Sequence, residues 1–474
     1  MNNLNNKIKL INKFIIKTLK LRSFTTSSLG LSYLNLSNYH SYNRLDYENT
    51  FFNKKNIKIK KKKISLKKEF FINKNQIIKK IYNRNINTIC LTYLISKQQI
   101  NDKFDFYFYK IFNKLDIKLE NILFIYDNTT NINNIKFKNI LNIQNYILLN
   151  KRLSPYREII FFFNFIYEFI IFYKLRLFNI KDVNFSKFIS KIFLLRNIPE
   201  TLSNYRNGYQ IYKIIKLYKP KNFFYLMEGK ITENFFIKLV RKANKNTKIY
   251  GYQHSVITKN NIGIFRNFNK LLEPDKILTI GNINKKILKK FKKKSNVVGS
   301  RKYIPVNFSK SQLLKIKNKK IMKILFLPEG IYEEQEIFYN LAVYLLKLKN
   351  VQIIWRNHPS VKNNKLSYLE KKFSNFKLSR KDLNQDSFYC QFAIFRGSSS
   401  IIESMSQGVI PIYFKTNNDM NIDALNLTSF KHRTFDKEKI FEYLQDIIIN
   451  DKLKDITKKY SELSKNFHYK FYSK

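Results

Sequence analysis

The chain has 474 residues, 44% of them hydrophobic, which is enough for two or three domains with true cores and excludes a disordered polymer. Lys and Arg number 89 against 33 Asp and Glu, a formal charge of +56, and such a field attracts nucleic acid, anionic lipid or phosphorylated small molecules. Cys90 and Cys390 stand apart from any CxxC or Cys/His cluster, which argues against a disulfide framework or a structural zinc site and fits a reducing compartment.

Part of the charge is compositional, because Lys, Asn, Ile, Phe and Tyr are inflated together, as AT-rich codons would produce. The first acidic residue is Asp46. Before it, Lys9, Lys13, Lys17 and Lys20 share one helical face, with Ile11, Phe14, Ile15 and Leu19 available for the other, and "RSFTTSS" follows at 22–28. Three readings stand for this segment: an organellar transit peptide, a membrane-surface helix, or a solvated basic tail. Nine lysines in "KKNIKIKKKKISLKK" (54–68) continue a basic extension that ends near residue 75.

From Thr88 the pattern changes. "TICLTYLIS" (88–96), "NILFIY" (121–126), "NFFYLM" (222–227), "TKIYG" (247–251), "KILTI" (276–280) and "NVVG" (296–299) read as buried strands with helical segments between them. This rhythm predicts a first α/β domain over 76–306, with a parallel sheet covered on both faces. Within it, "IIFFFNFIYEFIIFY" (159–173) is shorter than the roughly 20 apolar residues of a spanning helix. It is expected as a buried or interfacial helix, with Arg157, Lys174 and Arg176 at its ends suited to a membrane surface.

A polar, lysine-rich stretch from about Asn307 to Lys320 reads as an interdomain linker. A second series then begins: "MKILFL" (322–327), a helix over 333–349, "VQIIW" (351–355), a helix, "FAIF" (392–395), a helix from Ser399, and "VIPIYF" (409–414). The second α/β domain therefore covers 307–436. An amphipathic helix over 437–450 and a polar tail complete the chain to 474 and can cross back over the first domain.

In an open α/β sheet ligands bind beyond the carboxyl ends of the strands, so the loops there carry the candidate residues. "PEG" places Glu329 and Gly330 after one strand: a carboxylate for a sugar hydroxyl or a proton, and a glycine that permits close backbone approach. "RNHP" places Arg356, His358 and Pro359 after the next, where a histidine beside a cation can donate to a phosphate or a leaving oxygen. "FRGSSSIIES" offers Gly397, Ser398, Ser399 and Ser400 at a helix start, an anion site by its amides and hydroxyls, with Glu403 one turn on in reach of a ribose. In the first domain "MEG" repeats the layout at Glu228 and Gly229, and "GYQHS" places Gln253 and His254 at the neighbouring strand end. Together these predict an acceptor-side or catalytic cleft, with Glu228 as a candidate base.

The order "MEG", "GYQHS", "PDKILTIGN", "VVGSRKY", "PEGIYEE", "RNHP", "GSSSIIES", over Tyr225 to Phe414, resembles the GT-B-type glycosyltransferases of bacterial surface-carbohydrate biosynthesis, relatives of capsule-synthesis enzymes and bacterial sialyltransferases. The resemblance implies two Rossmann-like domains facing across a cleft. It also implies an inverting, metal-independent transfer from a nucleotide-sugar co-substrate, with no further cofactor. In the sialyltransferases a His-Pro pair contacts the phosphate of a CMP-sugar and a Ser-Ser pair holds the nucleotide; by resemblance these are His358 with Pro359, and Ser398 with Ser399. The acidic motif of that family has two acids, whereas "MEG" and "PEG" each have one, so the base assignment stays open between Glu228 and Glu329.

The resulting expectation is a glycosyltransferase acting on a cell-surface polysaccharide or lipid-linked acceptor. It would be cytoplasmic, peripheral on the inner face of an anionic membrane, or else organellar. The competing expectation is a basic nucleic-acid- or ribosome-associated protein.

Overall fold

In a computed structural model the described residues run from 79 to 470, except for 82–84, 94–104, 109, 128–144, 150–151, 176–197, 259–262, 266, 269, 304–320, 331, 359–364, 416–422, 426–427, 429, 431, 435 and 451. The basic N-terminal extension and the lysine-rich linker lie outside the described residues.

The first sheet contains β1 (Lys79–Lys80), β2 (Thr88–Tyr93), β3 (Ile122–Asp127), β4 (Tyr146–Leu148), β5 (Asn222–Leu226), β6 (Lys248–Gln253), β7 (Lys276–Thr279) and β8 (Ser295–Val297). Its order is β1-β4-β3-β2-β5-β6-β7-β8, parallel apart from the β1–β4 pair. The second sheet contains β9 (Met322–Leu327), β10 (Val351–Trp355), β11 (Phe376–Leu378), β12 (Phe392–Phe395), β13 (Ile410–Phe414) and β14 (Arg433–Thr434). Its order is β11-β10-β9-β12-β13-β14, all parallel.

Both sheets are doubly wound. The chain builds outward from β2 through β3 to β4, then returns to the other side of β2 with β5; β9, β10, β11 and then β12 repeat the pattern. This is the Rossmann-like, two-domain α/β architecture that the alternation of apolar runs and helices predicts. The central strands are apolar on both faces, as in "NFFYL" and "FAIF", because helices cover each side of a parallel sheet. Cys90 and Cys390 are both buried free thiols.

Four short strands, β1, β4, β11 and β14, have two or three residues each and carry too little periodicity to be read in advance. β6 runs two residues further than "TKIYG", so Gln253 belongs to the strand rather than to a loop. The region after 450, expected as a polar tail, forms the helix Leu453–Lys465. Its inward face is Leu453, Thr457, Tyr460, Ser461 and Ser464, a three- and four-residue spacing that small polar residues disguise. Ser461 Oγ donates to the Met405 carbonyl (3.0 Å) inside that contact.

Beyond this helix the chain straps the second domain to the first. Asn466 O accepts from Ile283 N (3.0 Å), Tyr469 N donates to Ile280 O (2.9 Å), and Ser300 N donates to Tyr469 O (2.8 Å). The strap passes so close to Gly281 that a Cβ there would collide with the Phe467 carbonyl. His468 is enclosed beneath it with neither ring nitrogen partnered, and burial, with Lys302 nearby, pushes its pKa down to about 3. Gly281→Ala should therefore displace the strap and cost about 1–3 kcal/mol, as overpacking against rigid backbone does. A urea titration followed by far-UV circular dichroism checks this, with a lowered midpoint expected.

Candidate functional site

Where a parallel sheet reverses its winding, the helices on either side of the reversal diverge and leave a crevice at the strand ends. In the first sheet that point lies between β2 and β5, and in the second between β9 and β12. The two Glu-Gly motifs stand directly after β5 and β9.

At the first crevice, Gly229 has φ +80°, and a Cβ there would lie 2.5 Å from the Ile264 amide nitrogen; only glycine fits. The carboxylate of Glu233, in the helix Ile231–Ala243, accepts from the amides of Glu228 (2.8 Å) and Gly229 (3.1 Å) and so pins the turn. Burial pushes the Glu233 pKa up to about 8, against the pull of those amide donors. The pinned turn presents Glu228, half-buried, to Lys230 Nζ at 2.5 Å and to His254 Nε2 at 3.7 Å. Lys230 also lies 4.6 Å from the centre of the Tyr93 ring at the end of β2.

His254 packs edge-on to Tyr107 (4.9 Å between ring centroids), and Tyr107 is set by Asp105, whose carboxylate accepts from the Tyr107 and Phe108 amides (3.0 and 2.9 Å). Burial lowers the His254 pKa; Glu228 opposes that, while Lys302 and Lys230 add to it. Its Nδ1 is buried without a partner. The neutral imidazole is thus the favoured form beside a carboxylate. Gln253 does not share the site. It is fully buried, its amide donating to Ser255 and accepting from Asn284 Nδ2, which fixes the turn that aims His254.

At the second crevice, a Cβ on Gly397 would overlap Glu329 Oε1, so the carboxylate of Glu329 rests on the bare backbone after β12. Burial pushes its pKa up to about 7, helped by Glu334 and opposed by Arg396. Gly330, Ser398, Ser399 and Ser400 are half-buried at these strand ends. Ser399 is the N-cap of the helix Ser400–Ser406, yet its side chain makes no capping hydrogen bond. Arg396, grouped by sequence with this loop, faces inward instead: its Nε pairs with Glu334 (2.6 Å) and its Nη1 donates to Phe414 O (2.7 Å), locking β12 to β13.

Two other predicted residues stand one strand further out, after β10. Arg356 donates from Nη1 to Asp386 Oδ2 (2.9 Å) and Lys381 O (2.6 Å), which ties the loop to the helix Leu383–Tyr389. His358 is exposed at that strand end, with its pKa lowered by partial desolvation. Pro359 lies outside the described residues. No group of three or more His, Cys, Asp or Glu among the described residues is arranged to hold a metal ion.

One residue that sequence reasoning passed over links the two crevices. Lys302 follows β8 in the first domain and reaches the second, with Nζ 3.2 Å from Glu403 Oε1 and 3.5 Å from Ser399 Oγ. Its charge is also felt at His254 and His468. One lysine in so basic a chain gives no signal by itself; its place three residues past Gly299 (φ +111°), on a strand-end turn, is the sign that distinguishes it.

No family model and no curated protein matches the chain. Among solved structures it is similar to the glycotransferase of kitacinnamycin, at 8% identity over 80% of this chain and 94% of that one (TM-score 0.45). It is also similar to the sucrose-phosphate synthase of Thermosynechococcus elongatus, at 9% over 81% and 95% (TM-score 0.46), and to the UDP-GlcNAc 2-epimerase of Methanocaldococcus jannaschii, at 12% over 77% and 92% (TM-score 0.41). At that level the likeness says nothing of substrate or reaction, and the fold assignment stands on the strand order itself.

The raised Glu329 pKa has a measurable sign. A carboxyl that titrates near 7 when folded and near its ordinary 4.5 when unfolded stabilises the fold fully below 4.5, and that contribution fades as pH rises to 7. The stability of Glu329→Gln relative to wild type should accordingly climb between pH 4.5 and 7 and level off above, in denaturant titrations across that range.

Proposed function

We propose that the protein is a glycosyltransferase of the GT-B kind, moving a sugar from a nucleotide-activated donor, a CMP-sugar by resemblance, to a cell-surface polysaccharide or lipid-linked acceptor. The observation that supports it is the pairing of two switch-point crevices across one cation, Lys302: a carboxylate–imidazole pair on one side, and a serine loop with a proton-holding carboxyl on the other.

In this reading the donor lies on the second domain, its phosphate against Ser398, Ser399 and Ser400, with His358 at the rim and Pro359 a donor-side residue by resemblance alone. Glu329 holds its proton close to neutral pH and donates a hydrogen bond to the donor, while Gly397 and Gly330 leave room for it. Lys302 is shared in the free enzyme between Glu403 and Ser399. An entering phosphate takes the ammonium and releases Glu403 to a ribose hydroxyl. Arg356, positioned by Asp386 through Nη1, contributes to donor binding from that strand end.

The acceptor hydroxyl lies against Glu228 and His254. As its oxygen attacks the anomeric carbon from the face opposite the phosphate, its proton passes to Glu228. The bond from that carbon to the phosphate oxygen breaks, and its electron pair leaves with the nucleotide, neutralised by Lys302 and the serine hydroxyls. The anomeric centre inverts, no metal takes part, and Lys230, 2.5 Å from the carboxylate, keeps Glu228 oriented beside His254.

Calorimetric titration with CMP, CDP, UDP and GDP tests the donor half. One nucleotide should bind selectively, and Lys302→Met or the double substitution Ser398→Ala/Ser399→Ala should weaken it by about tenfold or more, the loss of one or two charge-assisted hydrogen bonds. Weak, equal binding of all four that ignores both variants and collapses with salt would sink the proposal and favour the nucleic-acid reading. For the acceptor half, Glu228→Gln should keep nucleotide affinity within about twofold while slowing sugar transfer by at least about 100-fold, the range of general-base loss. Unchanged turnover in that variant would move the base to Glu329.

A further inference from the structure

The helix Pro155–Leu175 lies on the first domain, and among its described side chains, all between 155 and 167, the inner face is committed and the outer face bare. Inside, Phe161 packs on Leu202 and Tyr205 of the helix Ile198–Tyr218. Glu158 is buried in a bidentate pair with Arg206 (Nη2–Oε2 2.7 Å, Nε–Oε1 3.0 Å) and also accepts from the Leu153 amide (2.9 Å). Outside, Tyr156, Ile159, Phe162, Phe163, Ile166 and Tyr167 are all exposed, Tyr156 by 69% and Phe163 by 64%. Their spacing of three and four residues makes one continuous stripe on a single face. A stripe of that size marks a contact surface rather than a packing defect.

We propose that this stripe is a docking surface for an anionic lipid bilayer, on which the helix lies flat. Charge and chemistry select that occupant. The stripe mixes aromatic rings with isoleucines, the make-up of an interfacial helix, and two of its six residues are tyrosines suited to the headgroup level. At its N-terminal end Arg157 lies 5.1 Å from the centre of the Tyr209 ring and Lys213 5.9 Å, so cations flank it. Its one acid with a described side chain, Glu158, is turned inward and neutralised. A second copy of the chain is disfavoured because each carries a formal charge of +56. No helix among the described residues is long and apolar enough to cross a membrane, which leaves the in-plane arrangement for this one.

The stripe also has a definite position relative to the cleft. Asn207, next to Arg206, donates to Asp127 at the end of β3 (3.3 Å), and Asp127 feels the charge of Lys230, the partner of Glu228. The helix that carries the stripe is therefore joined to the first crevice through the helix Ile198–Tyr218. The proposal does not depend on sugar transfer, since it concerns only where the chain rests.

The test is sedimentation of the full chain with vesicles of equimolar phosphatidylcholine and phosphatidylglycerol at about 0.1 M and about 0.5 M salt, where screening separates charge from insertion. The triple substitution Ile159→Ser/Phe163→Ser/Tyr167→Ser should reduce binding at the higher salt by about tenfold or more while nucleotide calorimetry and circular dichroism stay as in wild type. In parallel, the indole introduced by Phe163→Trp should be quenched by brominated lipid, against a constant emission from the fully buried Trp355, which the quencher cannot reach. Binding at high salt that ignores the triple substitution, or fluorescence of the Phe163→Trp variant untouched by brominated lipid, would overturn the proposal. So would light scattering that shows a dimer in wild type and a monomer in the triple variant, which would assign the stripe to a second copy.

Discussion

A parallel sheet that winds first one way and then the other must leave its reversal point uncovered at the carboxyl ends of the strands, whatever side chains it carries, and both crevices of this protein follow from that. The chain makes the reversal twice, between β2 and β5 and between β9 and β12, and the turns after β5 and after β9 each supply a glutamate followed by glycine. The glycines nearby serve different ends. Gly229 is needed for its left-handed backbone, Gly397 because a neighbouring carboxylate occupies the space of its side chain, and Gly281 because the C-terminal strap passes there.

The charges of the site divide into those that build and those left to act. Glu158 with Arg206, and Glu334 with Arg396, are buried and mutually satisfied; the first fixes helix to helix and the second helix to sheet, and removing one partner would strand the other in low dielectric. Glu233 belongs with them, since both of its oxygens are spent on the turn before its own helix. Glu228, Glu329 and Lys302 differ. Each is partly open to solvent, each stands at a strand end, and Lys302 has its partners in the other domain. The relation of the two crevices rests on that contact at the cleft, on the backbone hydrogen bonds of the strap at 466–469, and on one buried apolar cluster that takes side chains from both domains and Phe467 from the strap.

The large positive charge takes on a more limited meaning in this setting. Most lysines among the described residues lie on outer helix faces and at strand edges, consistent with a composition shaped by codon usage. The cations that gain a specific role do so by position: Lys302 between two domains, Lys230 against Glu228 and Tyr93, and Arg157 with Lys213 at the end of an exposed aromatic stripe.

Residue order alone was enough for the secondary-structure rhythm and hence the fold class, because parallel strands buried on both faces must be near-continuous apolar runs, and such runs are visible without neighbours. It was also enough to show which loops stand at strand ends, and so brought Glu228, His254, Glu329, Gly397 and the serines into view. It could not show which of those side chains face the cleft. Gln253 and His254 are adjacent in "GYQHS", yet the pleat sends one into the core and the other toward Glu228. Arg396 and Gly397 part in the same way. Lys302, the strap over Gly281 and the bare face of the helix Pro155–Leu175 emerge only once the chain is folded, because each is a relation between segments far apart in the sequence, and no local pattern encodes a partner at such a distance.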